Sequence, residues 1–155
     1  MTRTGIRASG ILIKDDKILL IHRRKEGREY WVFPGGGIEE GEAGEEAIKR
    51  EVKEETGLGV VKVKLAFNQL TDEIEHPFFF CEIEEGEVRL GGPESKRHSK
   101  DNWYQPEWIE LKRIPTINLV PEQAKSKLIQ TTKASGIKTT ATPRIAAKVQ
   151  IGFNL

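Results

Sequence analysis

One cysteine in 155 residues, Cys81, leaves no internal disulfide to form. No apolar run approaches the ~20 residues that cross a bilayer, and no basic stretch followed by an apolar core opens the chain. These absences lead to the expectation of a soluble, reducing, cytoplasmic setting with no membrane partner. Charge of one sign is also scarce: 25 basic residues stand against 24 acidic ones, for a net charge of +1. That balance argues against a dedicated nucleic-acid or membrane-surface protein. The glycine-rich stretch near residue 35 lacks both the G-x-G-x-x-G of a dinucleotide fingerprint and the Gly-Lys-Ser/Thr ending of a P-loop. Acids follow it where a phosphate cradle has amides and a lysine, which argues against direct phosphate binding without a metal. At 17.5 kDa the chain reads as one domain, able to bury about two thirds of its unfolded surface.

What is present is concentrated between Phe33 and Leu58. Phe33-Pro34-Gly35-Gly36-Gly37 joins a rigid proline step to three residues free to take φ > 0, and is expected to form a glycine loop. Beyond Gly41, Ala, Glu, Lys and Arg dominate, which predicts a helix from about Ala43 to Thr56 with Gly57 as its stop. Its start lacks the usual Ser, Thr or Asp: Ala43 and Gly44 stand there, at a cost of about 1 kcal/mol. Along this helix Glu51, Glu54 and Glu55 fall at i, i+3 and i+4 and share one face. From Glu39 to Glu55 eight carboxylates stand against three bases, with no cation spaced to neutralise the trio as a group. Such a run is either a solvated acidic face or a divalent-cation site, for which hard oxygen donors suit Mg²⁺ or Mn²⁺.

Residues 7–23 read as two apolar strands around Lys14-Asp15-Asp16-Lys17, a hairpin. The hairpin delivers Arg23, Arg24, Lys25 and Arg28 to one end. There Arg23 and Arg24 as a pair are candidates to meet a substrate phosphate, and are otherwise a solvated loop. Trp31-Val32-Phe33 forms a short strand with both aromatics in the core. Residues 59–67 and 76–83 are two further strands, with Phe78, Phe79, Phe80 and Cys81 in the core and His76 structural; His22 and His98 carry no sharper signal. Residues 86–106 are polar and punctuated by Gly and Pro, the composition of a long functional loop. That loop carries Lys96, Arg97, Lys100, Asn102, Trp103 and Tyr104, a set able to hold a phosphate and stack a base. Glu107-Trp108-Ile109-Glu110-Leu111 is a short final strand. A helix then opens near Asn118 with Pro121 in its first turn and runs to about Thr131. Residues 1–132 form the expected domain, and 133–155 a basic extension without an assigned role.

The spacing from Gly36 to Leu58 is Gly36, five residues, Glu42, seven residues, then Arg50-Glu51-Val52-Lys53-Glu54-Glu55-Thr56-Gly57-Leu58. This resembles the Nudix box, G-x5-E-x7-R-E-U-x-E-E-x-G-U with U aliphatic, at every specified position. A chance match in a chain of this composition is on the order of one in a million. The resemblance implies an α/β class: an α/β/α sandwich around a mixed sheet. It also implies hydrolysis of a nucleoside diphosphate linked to another group, by water attacking phosphorus with a divalent metal, Mg²⁺ or Mn²⁺. Carried over by position, Glu51, Glu54 and Glu55 are the metal ligands and Glu51 a candidate general base. Arg50, with Glu42, orients the carboxylates, and Gly36 and Gly37 shape the loop. Family members recruit a further acid near a late strand, as metal ligand or as base, a role that fits Glu107, with Glu94 as competitor. Subgroups cleaving ADP-ribose carry a proline soon after the box and those cleaving dinucleoside polyphosphates a tyrosine. Here that window holds Glu73, Ile74, Glu75 and His76, with Pro77 just beyond, so neither mark is present. The expected substrate is a small nucleotide, first a nucleoside triphosphate or modified dNTP and then ADP-ribose or another nucleotide sugar. A nucleotide-binding regulator without turnover and a decapping-type RNA enzyme are the competing readings, and a homodimer is compatible with the chain.

Overall fold

In the computed structural model, residues 3–84 and 102–134 are described. Strand β1 (Arg3–Ile11) passes into β2 (Ile13–Lys14) through Leu12, where the chain leaves one sheet for another. Asp15 and Asp16 then reverse it at φ of 52° and 65°, a left-handed pair that Asp tolerates, so Ile13 pairs with Ile18 of β3 (Lys17–Lys25). Glu26 and Gly27 make a second such turn into β4 (Arg28–Val32), which is followed by β5 (Gly35–Glu39) and helix α1 (Gly44–Thr56). Strands β6 (Val60–Thr71) and β7 (Ile74–Ile83) form another hairpin about Asp72-Glu73. Then come β8 (Asn102–Glu110), a 3₁₀ turn (Leu111–Thr116), β9 (Leu119–Val120) and α2 (Glu122–Ala134), with a cis bond between Val120 and Pro121.

The first sheet runs β5-β1-β7-β6, with β1 parallel to β7 and the other pairs antiparallel. In the second, β3 pairs with β2, β4 and β8, and β9 lies parallel to β4. Both sheets are part of the expected α/β class with mixed pairing. Strand β7 shows why the core has two halves. Its alternation sends Phe78 and Phe80 into a cluster with Ile11, Ile18, Leu20, Phe33 and Leu128 of α2. Phe79 and Cys81 go the other way, to Ala8, Leu12, Leu19 and the α1 residues Ala47, Ile48 and Val52. Burying each large apolar side chain contributes about 1.5–3 kcal/mol, so β7 anchors α1 and α2 on opposite sides of one sheet. Burial pushes the Cys81 thiol up to about 12, the behaviour of a core residue and not of a nucleophile. Strand β6, twelve residues long, ends the first sheet; among the described residues its strand partner is β7 alone, and Val61, Leu65 and Leu70 stay exposed.

The structure departs from the sequence reading in several places. Gly35, Gly36 and Gly37 form no loop: they are buried in β5 and pair with Ser9, Ala8 and Arg7. Side-chain pattern is absent from a glycine run, so nothing in the residues marks it as a strand. Arg23, Arg24 and Lys25 lie inside β3, because the Glu26-Gly27 turn extends the ladder to Lys25↔Arg28. Residues 102–106 belong to β8, which pairs along the whole of β3, while 85–101, with Glu94, Lys96, Arg97, His98 and Lys100, lie outside the described residues. Among the described residues the last strand is β9, so Leu119 and Val120 extend against β4 and the helix begins only at Glu122. No helix of the described residues is long and apolar enough to cross a membrane.

Candidate active site

Helix α1 holds the acidic face against the sheet. Its buried positions, Ala47, Ile48, Glu51, Val52, Glu55 and Thr56, recur at helical spacing. The apolar members grip the core, which forces the Glu51 and Glu55 carboxylates inward at the edge of that stripe, beside β5. Glu51 is 5% exposed and Glu55 8%, values that for unpaired carboxylates would be prohibitive. Partners supplied by β5 and by the helix itself resolve this. Glu55 Oε1 accepts the Gly35 backbone N–H at 2.7 Å. Glu51 Oε1 accepts Arg50 Nη1–H at 2.8 Å. Arg50 also donates twice to Glu42, at 2.9 Å from Nε and from Nη2, and to the Gly37 carbonyl at 3.1 Å. Its Nη1 stands 3.7 Å from Glu54. Glu42, ahead of Glu51, holds the guanidinium charged and moves its pKa further up. Arg50 is therefore a cation shared by Glu51 and Glu54, the latter at the i, i+4 spacing, while Glu55 takes the Gly35 N–H instead.

The glycines of β5 are explained by the same contacts. A Cβ at Gly36 would overlap the Glu51 carboxylate, and one at Gly35 would overlap the Ala8 carbonyl across the β1–β5 ladder. Gly57 closes the helix at φ 79°, its N–H on the Lys53 carbonyl. At the other end Ala43 gives no side-chain cap, and Glu46 Oε1 accepts the Ala43 N–H at 3.0 Å.

Hard carboxylate oxygens, two of them nearly buried under a glycine strand, fit a divalent cation. Glu51, Glu54 and Glu55 are the residues that would hold it. Among the described residues no three acidic, His or Cys groups already converge into a metal cage, since Glu51 turns to Arg50 and Glu55 to Gly35.

Strand β3 distributes the remaining candidates over two faces. Alternation sets His22 and Arg24 with Leu20 on one side and Arg23 on the other, so Arg23 and Arg24 leave the strand on opposite faces. Arg23 Nη2 donates to Asn102 Oδ1 at 3.0 Å and to Tyr104 Oη at 2.8 Å, with the guanidinium carbon 4.1 Å from the Tyr104 ring centroid. Arg24 lies over Trp103 at 4.8 Å and donates to Glu29 at 3.0 Å. Glu107 shares the ladder position of Leu20, and its Oε2 is 2.8 Å from His22 Nδ1. Glu29 Oε2 is 3.1 Å from His22 Nε2, an ion-pair distance without hydrogen-bond alignment. The hydrogen bond from Arg24, and next the adjacent His22, lower the Glu29 pKa. His76 accepts the Arg7 N–H at 2.9 Å, the structural role expected of it. Sequence reasoning passed over His22 and Glu29. Two-residue alternation from Leu20 through His22 to Arg24 was the available signal, and it needed the register with Glu107 to mean anything.

Comparison with known proteins bears on this arrangement. A sequence model described as NUDIX domain matches residues 4–127. The ADP-ribose pyrophosphatase of Methanocaldococcus jannaschii is 32% identical over 121 residues, 73% of this chain and 66% of that protein. The RNA pyrophosphohydrolase of Shewanella denitrificans is 42% identical over 62 residues, 39% of this chain and 36% of that protein. The chain thus spans less than two thirds of the curated relatives it matches. A MutT structure from work on Aliivibrio salmonicida and Vibrio cholerae superposes with a TM-score of 0.66 at 21% identity, over 83% of this chain and 97% of that one. That likeness shows a common fold.

Proposed function

The chain belongs to the Nudix family, and from that membership we propose that it hydrolyses the pyrophosphate linkage of a small nucleotide, first a nucleoside triphosphate or modified dNTP. The observation that carries the reading is the Glu51 carboxylate, buried beneath Gly36 and aligned by Arg50 together with Glu42. A solvated acidic face has no need of a guanidinium clamp or of a glycine strand that clears room for carboxylates. Nudix hydrolases generally use divalent metal ions; here Mg²⁺ or Mn²⁺ is the proposed ion, and Glu51, Glu54 and Glu55 its ligands. When bound, such an ion offsets substrate charge, lowers the pKa of water and stabilises charge on the leaving phosphate.

The chain's own groups do the rest. Arg50 holds Glu51, and Gly35 holds Glu55, beside β5, which limits how far either carboxylate must move to meet an ion and the pyrophosphate. Water attacks phosphorus, its proton passes to Glu107 or Glu51 as base, and the P–O bond breaks with its electron pair left on the departing phosphate. Arg24, on the face of Glu107, meets substrate phosphate. Arg23 is held by Asn102 and Tyr104 and lines the substrate's approach from the opposite face. Residues 1–132 carry this activity, and the setting is cytoplasmic.

A second reading, ADP-ribose or another nucleotide sugar, is favoured by the Methanocaldococcus relative. Phosphorus NMR of nucleoside triphosphates, modified dNTPs, ADP-ribose and 5′-triphosphate RNA with Mg²⁺ in ¹⁸O-labelled water separates the two. Label in one product phosphate identifies both the substrate and the phosphorus attacked. Tight nucleotide binding with no labelled product from any of them would make the protein a regulator and sink the hydrolase reading. EDTA should abolish turnover, and full activity after thorough chelation would remove the metal from the account.

A further inference from the structure

His22 is buried, 7% exposed, yet it makes no backbone contact of the kind that usually satisfies a core imidazole. Instead both ring nitrogens face carboxylates: Nδ1 lies 2.8 Å from Glu107 Oε2, and Nε2 lies 3.1 Å from Glu29 Oε2. The ring itself is fixed from two directions. Trp31 stacks on it at 4.3 Å with an interplanar angle of 12°, and Trp103 meets it edge-on at 5.0 Å. Glu29 is in turn held by Arg24 Nε at 3.0 Å. The result is a polar chain, Arg24–Glu29–His22–Glu107, crossing β4, β3 and β8 and clamped between two indoles. A carboxylate only accepts, so Nδ1 donates to Glu107 and immobilises Oε2. Glu107 is one-third exposed, and a glutamate side chain there would otherwise sample several rotamers.

We propose that His22 is a positioning residue: its Nδ1–H fixes Oε2 of Glu107, Trp31 and Trp103 fix the ring, and the Glu107 carboxylate is thereby presented to the substrate site in one orientation. This rests on the reading of Glu107 as the acid that works beside the box. A partner that orients an acting carboxylate contributes roughly 10- to 100-fold in analogous metal and catalytic sites. The function of the two tryptophans follows as well, since an imidazole free to rotate about its Cβ–Cγ bond would lose the Nδ1 contact.

The test compares His22→Phe, which keeps a ring against Trp31 and removes the donor, with His22→Asn, whose amide nitrogen takes the place of Nδ1. Each is made alone and in the Glu107→Gln background, and His22→Leu carries the same comparison if the Phe variant does not fold. Steady-state kcat and KM are measured with the best substrate of the NMR panel, and Mn²⁺ binding to nucleotide-free protein is followed by electron paramagnetic resonance. His22→Phe should lower kcat about 10- to 100-fold with KM changed much less, and His22→Asn should restore most of the loss. In the Glu107→Gln background His22→Phe should cost almost nothing further, because the residue it positions is already disabled. Equal loss in Asn and Phe variants, or full multiplication of the His22 and Glu107 effects, would overturn the positioning role. Should Glu107→Gln alone leave kcat and Mn²⁺ affinity unchanged, the reading of Glu107 itself fails, and the two failures are told apart by that single variant.

Discussion

Asp16 is buried at 2% exposure, and neither of its carboxylate oxygens has a hydrogen-bond partner. Burial, and next the charge of Glu110, raise its pKa above 3.8, while Lys112 acts in the opposite direction. The folded protein therefore binds a proton at Asp16 more readily than the unfolded chain does. Wild-type stability is accordingly favoured below 3.8 and is lost as pH rises through the raised value. Asparagine tolerates the same φ of 65° and carries no charge to bury, so Asp16→Asn should stabilise the protein at neutral pH by about 1 kcal/mol. Melting curves check this, and the gain over wild type should shrink as pH falls toward 3.8 and below. A gain that does not depend on pH would mean that the carboxylate is solvated. On the box helix, Glu54→Gln and Glu55→Gln should each lower kcat at least about a hundredfold with the fold intact, because an amide at Glu55 still accepts from Gly35 N–H while losing its charge. Near-normal turnover in both would leave α1 with an acidic surface only.

At the scale of elements, α1 was readable because its cues are local: the apolar stripe, the Glu spacing and Gly57 all lie within the helix itself. Its weak end was readable too, and it can be repaired. Ala43 sits at φ −74° and ψ 153°, the extended geometry of an N-cap, and Glu46 already takes its N–H. Ala43→Ser should complete the reciprocal pair and raise stability by about 1 kcal/mol, seen as a higher midpoint in thermal or urea unfolding. Unchanged stability would show that water already serves that end as well. Strand β5 was not readable, since three glycines offer no alternation. What makes it a strand is its ladder with β1, formed by residues some thirty positions earlier in the chain. Gly35→Ala should consequently act through that ladder, driving a methyl against the Ala8 carbonyl, and lower stability by displacing the residue 35 backbone whose N–H serves Glu55. Strand β8 hid for a related reason. Asn102 to Pro106 mix polar and aromatic residues without alternation and end on a proline, and their register with Lys25 to Ile21 comes from β3. The candidate site divides along the same line: the box carboxylates were legible, whereas the Arg50 clamp and the His22–Glu107 contact depend on tertiary pairing.

At the largest scale, the described residues leave one long strand edge without a further strand. Strand β6 closes the first sheet with twelve residues of edge, on which Val61, Leu65 and Leu70 are exposed at 59%, 50% and 60%. Lys62 and Lys64 sit among them, the type of charge that discourages another extended chain from continuing the ladder. Such protection is electrostatic, and so it has a range. At about 0.1 M salt that range is about 10 Å, and near 1 M it contracts to about 3 Å, less than the spacing between strands. The protein should scatter more light with rising concentration in strong salt than in weak salt, and Leu65→Lys should blunt the difference. Scattering that falls as salt is added would show that the lysines play no such part. For a chain so nearly balanced in charge, colloidal behaviour is then set by two lysines on one strand more than by the sum over the sequence.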